Sequence, residues 1–124
     1  MILGIGTDLL AVRQISACYH SEFQGFFRRA YSRSERQEAA RAADPVSYYA
    51  SRFAGKEAVL KCLAAIPEPL CWQEIEIRSD AGGRPHVRLS GQCQRLAQTR
   101  GIRKIHLSIS HESDYVTAFA VAEG

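Results

Sequence analysis

The chain has 124 residues, of which 46% are hydrophobic and 23% are charged, and its formal net charge is +3. This length and composition predict a single globular domain over residues 1–124 and exclude a disordered chain. The weak positive charge does not indicate nucleic-acid binding and no apolar run reaches transmembrane length, so we expect neither a nucleic acid nor a membrane as a partner.

The first predicted element is a short buried strand over residues 1–5. Gly4 and Gly6 allow a close backbone approach or an unusual turn before Asp8. An early carboxylate and the lack of a basic N-terminal region do not fit a signal peptide, so we expect a cytoplasmic protein. A helix is predicted from about Leu9 to Tyr19, and Asp8 either caps this helix or faces a ligand.

The stretch over residues 23–31 is aromatic and basic, and Ser32 and Glu35 have the spacing of a capping box. A helix is therefore predicted over residues 35–43, before an Asp-Pro pair ends it. Arginines are concentrated in this region; they are Arg28, Arg29, Arg33 and Arg36. Such a cluster forms either a solvated surface or a docking site for an acidic partner.

A long helix is predicted over residues 46–65. Positions that step alternately by three and four residues share one face of a helix. Here they are Val46, Ala50, Phe53, Glu57, Leu60 and Ala64. A carboxylate on this apolar row needs compensation, because an unpaired buried charge is costly. The compensation is either a buried ion pair, with Lys61 one turn later as a possible partner, or a metal ion.

The second half of the chain predicts β-structure around one further helix. Alternating residues on either side of a glycine-containing turn predict a hairpin over residues 74–89. Ser90 is the predicted N-cap of a helix that runs to about Arg100, with Gly101 as the residue after it. Two more strands are predicted between residues 102 and 122. We therefore expect an α+β fold, with an antiparallel sheet packed against the long helix.

Asp8 and Glu57 are candidate metal ligands. If the long helix packs across the first strand, the two carboxylates converge, and such a pair suits Mg²⁺ because it leaves positions for water and phosphate oxygens. Lys61, with Arg52 or Lys56, could hold phosphate oxygens beside the metal. The sequence contains no P-loop, nucleophile-elbow or zincin motif, which excludes the common NTPases, serine hydrolases and zinc proteases.

The histidines and cysteines give no separate metal site. His106 and His111 have an odd separation and lie on opposite faces if one strand contains both, so we do not expect them to bind one metal ion. His111 follows Ser110 where the strand turns, and it either donates a hydrogen bond to a ligand or is structural. The cysteine spacing indicates neither a disulfide framework nor a zinc site.

Several segments stand in an order and at separations that resemble one family. They are GIGTDL at residues 4–9, RFAGKEAVLK at 52–61, LSISH at 107–111 and YVTAFAV at 115–121, and the stretch over 26–35 also fits. This combination resembles the holo-acyl-carrier-protein synthases, the short 4′-phosphopantetheinyl transferases. The resemblance implies the 4′-phosphopantetheinyl transferase fold and a homotrimer with its active sites at subunit interfaces.

The resemblance also implies a reaction. The phosphopantetheine arm of coenzyme A is transferred to a serine of an apo acyl carrier protein, and adenosine 3′,5′-bisphosphate is released. Asp8 and Glu57 would be Mg²⁺ ligands, and they form the catalytic group together with Lys61, which would contact the phosphates and protonate the leaving group. The serine proton would pass to Glu57 or to a water on the metal.

The resemblance assigns two further sets of residues. The coenzyme A contacts would be Arg52, Lys56, Lys61, Ser110 and His111. Carrier proteins of this family are strongly acidic, so the docking residues would be Arg13, Arg28, Arg29 and Arg33. The implied process is fatty acid and lipid biosynthesis in the cytoplasm.

The chain departs from the family pattern after Lys61. The family has a small residue and then a Gly-Thr-Gly turn near the coenzyme, whereas residues 62–69 read CLAAIPEP. The carrier could therefore belong to a fatty acid, polyketide or peptide pathway. Two alternatives also stay open: a weakly active or inactive relative that binds carrier protein or coenzyme A, and a metal-dependent phosphohydrolase.

Overall fold

The computed structural model describes residues 1–20 and 25–124. Its helices are α1 (Val12–Tyr19), α2 (Gly25–Ala30), α3 (Arg33–Arg41), α4 (Pro45–Cys62) and α5 (Gly91–Thr99), with a 3₁₀ turn at Trp72–Glu74. Its strands are β1 (Ile2–Ala11), β2 (Ile75–Ser79), β3 (Pro85–Leu89), β4 (Lys104–His111) and β5 (Tyr115–Glu123). None of the described helices is both long and apolar enough to cross a membrane.

The strands form two antiparallel sheets. One has three strands in the order β1-β5-β4, and the other is the β2-β3 hairpin. Helix α4 packs against both sheets and also against α1 and α3. The predicted α+β fold, with antiparallel strands packed on the long helix, is therefore confirmed.

Strand β1 is longer than the sequence predicted. It is paired with β5 as far as Ala11, which lies opposite Tyr115, so the helix expected from Leu9 starts only at Val12. The backbone ladder of this pairing outweighs the local helical pattern. Asp8 therefore lies inside a strand, which excludes the capping role, one of the two alternatives for this residue. Ala11 is the N-cap residue of α1 and makes no side-chain capping bond.

The capping box before α3 is confirmed. Ser32 Oγ accepts a hydrogen bond from the Glu35 backbone N–H, and Glu35 Oε1 accepts one from the Ser32 N–H at 2.8 Å. The helix begins directly after this cap and ends at Arg41, so it starts and stops earlier than predicted. The aromatic stretch before it contains α2, which the sequence did not predict; Phe23, in the same stretch, lies outside the described residues.

Ser90 is the N-cap residue of α5 as predicted, but the capping hydrogen bonds come from another residue. The Ser90 side chain makes no capping hydrogen bond. Instead, the carboxylate of Glu74 accepts hydrogen bonds from the backbone N–H groups of Gln92 and Cys93. A carboxylate is favoured there because the helix N-terminus carries partial positive charge. Gly101, at φ 75°, follows the helix as predicted.

Helix α4 is buried on almost all sides. Ala50, Ala54 and Ala58 are completely buried, and such small side chains allow neighbouring elements to approach closely. The row that contains Glu57 is therefore not a distinct buried face, and Glu57 is only half-buried. The completely buried charge of α4 belongs to the preceding residue, Lys56.

The turn after α4 contains an unusual backbone conformation. The helix ends at Cys62 and not at Ala65, and Ala64 has a φ of 56°. This left-handed conformation costs a residue with a Cβ atom roughly 1–2 kcal/mol, whereas glycine adopts it freely.

We expect Ala64→Gly to raise the free energy of unfolding by about 0.5–1 kcal/mol, because the relief of strain exceeds the extra entropy that glycine gives the unfolded chain. Urea denaturation measures this change. Ala65→Gly is the matched control, since Ala65 is not among the residues with positive φ in the described chain, and it should not stabilise. Equal effects of the two substitutions would contradict the strain at Ala64.

Two glycines let β1 cross α4 at very short distance. A Cβ atom at Gly4 would lie 2.2 Å from the carbonyl oxygen of Cys62, and one at Gly6 would lie 2.0 Å from that of Ala58. Real Cβ atoms do not approach a backbone oxygen so closely. The glycines therefore set the separation of strand and helix.

Gly6→Ala should lower the free energy of unfolding by roughly 1–3 kcal/mol, because the new methyl group forces two backbone segments apart. Urea denaturation again measures the effect. Gly82→Ala in the β2-β3 turn is the control, since its Cβ would lie 3.5 Å from the nearest atom, Asp80 Oδ1. If both variants lose equal stability, the close crossing is not the cause.

The sheet face that points away from α4 exposes large apolar side chains from β1 and β5. Its exposed side chains include Ile5 (62%), Leu9 (70%), Tyr115 (47%) and Phe119 (50%), and Ile2 nearby is 65% exposed. We call this surface the open sheet face. The predicted burial of the first strand is wrong for the single chain. A contiguous exposed apolar surface of this kind marks an interaction site.

Candidate active site

The crossing of β1 and α4 brings Asp8 and Glu57 together. Asp8 follows Gly4 and Gly6 on the face of β1 that meets α4, and Glu57 precedes Ala58, the residue that Gly6 approaches. Burial and then the charge of Asp8 raise the pKa of Glu57 above its ordinary value. A carboxyl group whose pKa is raised by the charge of another carboxylate lies close to it, so we treat the two as one site.

Lys61 lies at the same site. Its Nζ is 3.7 Å from Asp8 Oδ1 and donates a hydrogen bond to the Thr7 carbonyl oxygen at 2.8 Å. Burial raises the pKa of Asp8 by more than the Lys61 ammonium group lowers it. Lys61 was offered by the sequence as an ion-pair partner of Glu57, but its ion pair is with Asp8, and its charge also lowers the pKa of Glu57.

The donor set of this site fits Mg²⁺. Within residues 1–20 and 25–124, no group of three or more His, Cys, Asp and Glu side chains is placed to hold a metal ion. Asp8 and Glu57 are a two-carboxylate set, and Mg²⁺ is commonly held by one or two carboxylates together with water and phosphate oxygens. A cation also relieves the repulsion that contributes to the raised pKa of Glu57.

The Lys56 side chain is buried in this structure and is not accessible to a substrate. This burial contradicts the predicted contact of Lys56 with coenzyme A. Its side chain is 0% exposed, and its Nζ donates to Glu35 Oε1 at 2.8 Å, to the Trp72 carbonyl at 3.1 Å and to the Ile75 carbonyl. Glu35 Oε2 in turn accepts a hydrogen bond from the Ile77 N–H at 2.9 Å. This buried pair joins α3, α4 and β2.

Arg52 lies before Glu57 on α4 and reaches the β2-β3 hairpin. One of its terminal nitrogens donates to Ser79 Oγ, and its guanidinium carbon lies 4.5 Å from the centre of the Tyr48 ring. Glu38 Oε2 lies 4.0 Å from the Arg52 Nη2 atom. Its Nε is buried and has no hydrogen-bond partner among the described residues. Arg52 therefore keeps a donor that is not used within the described chain.

Ser110 lies on the opposite side of the sheet from Asp8, and His111 follows it at the exposed end of β4. Ser110 is exposed on the open sheet face, whereas Asp8 lies on the face towards α4, so the sheet separates them. A shallow cavity of about 440 Å³ at the end of β4 is lined by these two residues and by Leu9, Glu112, Tyr115 and Thr117. The structure does not bring Ser110 to the carboxylate pair of its own chain.

All four arginines predicted to dock a carrier are exposed: Arg13 in α1, Arg28 and Arg29 in α2, and Arg33 in α3. Arg36, from the same cluster, has a structural role, since it donates to the Tyr31 carbonyl oxygen at 2.7 Å. The four predicted docking arginines are thus accessible to a partner, whereas the Lys56 side chain is buried.

Sequence reasoning missed three features around the site. Glu38 beside Arg52 and Glu35 beside Lys56 lie on α3, and only the packing of α3 against α4 identifies them as partners. The open sheet face had a detectable signal. Ile5 and Leu9 in β1, and Tyr115 and Phe119 in β5, are spaced by even numbers, so each pair shares one side of its strand.

Comparison with known proteins assigns a family to this geometry. The sequence profile of the 4′-phosphopantetheinyl transferase superfamily matches residues 4–120. The chain belongs to this superfamily. The predicted family and the predicted transferase class are therefore confirmed.

Individual members of the superfamily are similar to this chain over all or nearly all of its length. The holo-acyl-carrier-protein synthase of Desulforudis audaxviator is 43% identical over 126 residues, covering 100% of this chain and 95% of the relative. The crystal structure of the synthase from Neisseria meningitidis has a TM-score of 0.91 and 36% identity, with both chains covered completely. The Helicobacter pylori synthase in complex with coenzyme A has a TM-score of 0.82 and 28% identity, covering 96% of this chain and 99% of that one.

Proposed function

We propose that this chain is a Mg²⁺-dependent holo-acyl-carrier-protein synthase. It transfers the 4′-phosphopantetheine group of coenzyme A to a serine of an acidic apo acyl carrier protein and releases adenosine 3′,5′-bisphosphate. The observation that carries the proposal is the convergence of Asp8, Glu57 and Lys61 where β1 crosses α4. Full-length similarity to holo-acyl-carrier-protein synthases supports the same function.

In this reaction the serine oxygen bonds to the β-phosphorus of coenzyme A, and the bond from that phosphorus to the bridging oxygen breaks. Asp8 and Glu57 would hold Mg²⁺, which supplies charge stabilisation to the pyrophosphate when bound. Lys61 would contact the phosphates and donate a proton to the departing oxygen. Glu57 is one candidate to accept the serine proton.

The remaining contacts follow from position and exposure. Arg52 would contact the coenzyme between α4 and the hairpin through its terminal guanidinium nitrogens, since its Nε is buried. The exposed Arg13, Arg28, Arg29 and Arg33 receive the acidic carrier, which predicts a salt-dependent rate of encounter. The reaction belongs to fatty acid and lipid biosynthesis in the cytoplasm, with a carrier from a polyketide or peptide pathway as a second possibility.

The decisive experiment is mass spectrometry of apo carrier proteins incubated with coenzyme A, Mg²⁺ and the protein. A gain of one phosphopantetheine group on the carrier serine is the expected result. Coenzyme A cleavage with no gain on any carrier would favour a phosphohydrolase. Binding without either change, across fatty acid, polyketide and peptide carriers, would favour an inactive relative.

The proposed enzyme works as a homotrimer with its sites between subunits. Two observations support this: large apolar side chains of β1 and β5 are exposed on the open sheet face, and Ser110 lies on the opposite side of the sheet from Asp8. In a closed ring, the open sheet face of one copy would pack against a different surface of the next, so the Ser110 side of one chain would lie beside the carboxylate pair of its neighbour. The substrate cleft would then be shared by two chains.

Phe119→Lys should disrupt this assembly, because it places a charge at the centre of the open sheet face, where Phe119 is 50% exposed in the single chain. Light scattering should give the mass of three chains for the wild type and of one chain for the variant. Ile66→Lys is the matched control, since Ile66 is 64% exposed outside the sheet. A wild type that is an active monomer would contradict the interface site.

A further inference from the structure

Oxygen atoms of β1 contact the Lys61 ammonium group in the way that they would contact a bound metal ion. Its Nζ interacts with the Thr7 carbonyl oxygen at 2.8 Å and with Asp8 Oδ1 at 3.7 Å, so two successive residues of one strand provide its oxygen partners. The Asp8 side chain is only 17% exposed, whereas that of Lys61 is 53% exposed. The Asp8 carboxylate is therefore largely enclosed by protein, whereas the Lys61 ammonium group can move away into solvent.

The charges at this site balance only in part. Asp8 and Glu57 are two carboxylates, and the Lys61 ammonium group is the cation that acts on both of them among the described residues. Carbonyl and carboxylate oxygens around a positive charge are also the environment that Mg²⁺ prefers. An ammonium group and a metal ion thus compete for the same Asp8 oxygen.

We propose that Lys61 occupies part of the cation position in the metal-free site and moves to a phosphate oxygen when Mg²⁺ and coenzyme A bind together. This inference rests on the proposed function, because it takes the Asp8 and Glu57 pair to be the metal site. Mg²⁺ alone must displace Lys61 from Asp8. Coenzyme A provides phosphate oxygens that accept the displaced ammonium group, so each ligand strengthens the binding of the other.

The chemistry of lysine suits such a move. A compact ammonium group on a flexible four-carbon chain can exchange one oxygen partner for another without a change in the backbone. The backbone of α4 at Lys61 is meanwhile fixed against β1, since a Cβ at Gly6 would also lie 2.9 Å from the Lys61 Cβ. Only the outer part of the side chain has to move.

The test uses Mn²⁺ as a paramagnetic probe for the Mg²⁺ site, with free Mn²⁺ measured by electron paramagnetic resonance in the absence of carrier. Without coenzyme A, we expect Lys61→Gln to bind Mn²⁺ about threefold to fivefold more tightly than the wild type, since an exposed ion pair of this kind contributes little more. With coenzyme A, the wild type should gain more affinity for Mn²⁺ than Lys61→Gln does.

Two controls separate competition from a general effect of charge. Lys61→Arg keeps a cation near Asp8 and should bind Mn²⁺ as the wild type does. Arg52→Gln removes one positive charge from the same helix, from a residue that contacts Ser79 and not Asp8, and it should also leave the affinity for Mn²⁺ alone unchanged. A structural role of Lys61 predicts weaker metal binding after its removal, not tighter binding.

The outcomes distinguish the inference from the function on which it rests. If Lys61→Gln binds Mn²⁺ no more tightly than the wild type, or if Arg52→Gln tightens binding equally, the inference is wrong. Asp8→Asn tests the site itself and should weaken Mn²⁺ binding in the presence of coenzyme A. If Asp8→Asn has no effect, the proposed metal pair fails and the inference fails with it.

Discussion

Glu57→Gln should lower the rate of phosphopantetheinyl transfer by at least about a hundredfold, since a lost metal ligand removes several kcal/mol of charge stabilisation. The fold should remain intact. Glu57 is half-buried, and the nearby Asp8 charge raises its pKa, so a neutral amide removes repulsion from the metal-free protein. Carrier modification followed by mass spectrometry measures the rate, and circular dichroism measures the fold.

A matched control distinguishes the loss of a ligand from the loss of any glutamate. Glu68 is exposed in the loop after α4, and Glu68→Gln should retain the wild-type rate. Thermal denaturation without metal should give Glu57→Gln a stability equal to or above that of the wild type. Normal activity of Glu57→Gln would remove this residue from the metal site.

Lys56→Met should lower the free energy of unfolding by about 3–5 kcal/mol, the usual consequence of removing one partner of a buried ion pair. The Glu35 carboxylate would keep the hydrogen bonds from Ser32 and Ile77 but would be left as an uncompensated charge in the core. The carbonyl oxygens of Trp72 and Ile75 would also lose their donor. Urea denaturation measures the loss.

A double variant tests whether the charge is the cause. Glu35→Gln combined with Lys56→Met removes both charges and should recover part of the stability that Lys56→Met loses. Lys104→Met is a control for the loss of an exposed lysine, and its effect should be small. A cost below about 1 kcal/mol for Lys56→Met would show that the buried pair contributes little.

The fold could be predicted from the sequence where a local pattern and the tertiary structure agree. The capping box at Ser32, the β2-β3 hairpin and the glycine after α5 depend on neighbours in the chain, and all three are found. The end of β1 could not be predicted in this way. It depends on pairing with β5, more than a hundred residues later, which no local pattern contains.

The candidate site illustrates the same division. The sequence identified Glu57 as an anomaly by treating α4 as a helix with one buried face, but α4 is surrounded by other elements and its completely buried charge is Lys56. The pairing of Asp8 with Glu57 was nevertheless expected from the crossing of the first strand and the long helix. Periodicity distinguishes a buried row only when the opposite face of the helix is in water.

The separation of Asp8 and Ser110 by the sheet has a genetic consequence. If each cleft takes its carboxylates from one chain and its β4 residues from a neighbour, a Glu57→Gln chain keeps an intact Ser110 edge, and a chain inactivated at Ser110 keeps an intact carboxylate pair. Mixed assemblies of these two defective proteins would then contain some clefts in which both halves are normal. Co-expression of two inactive alleles should restore activity that neither allele has alone.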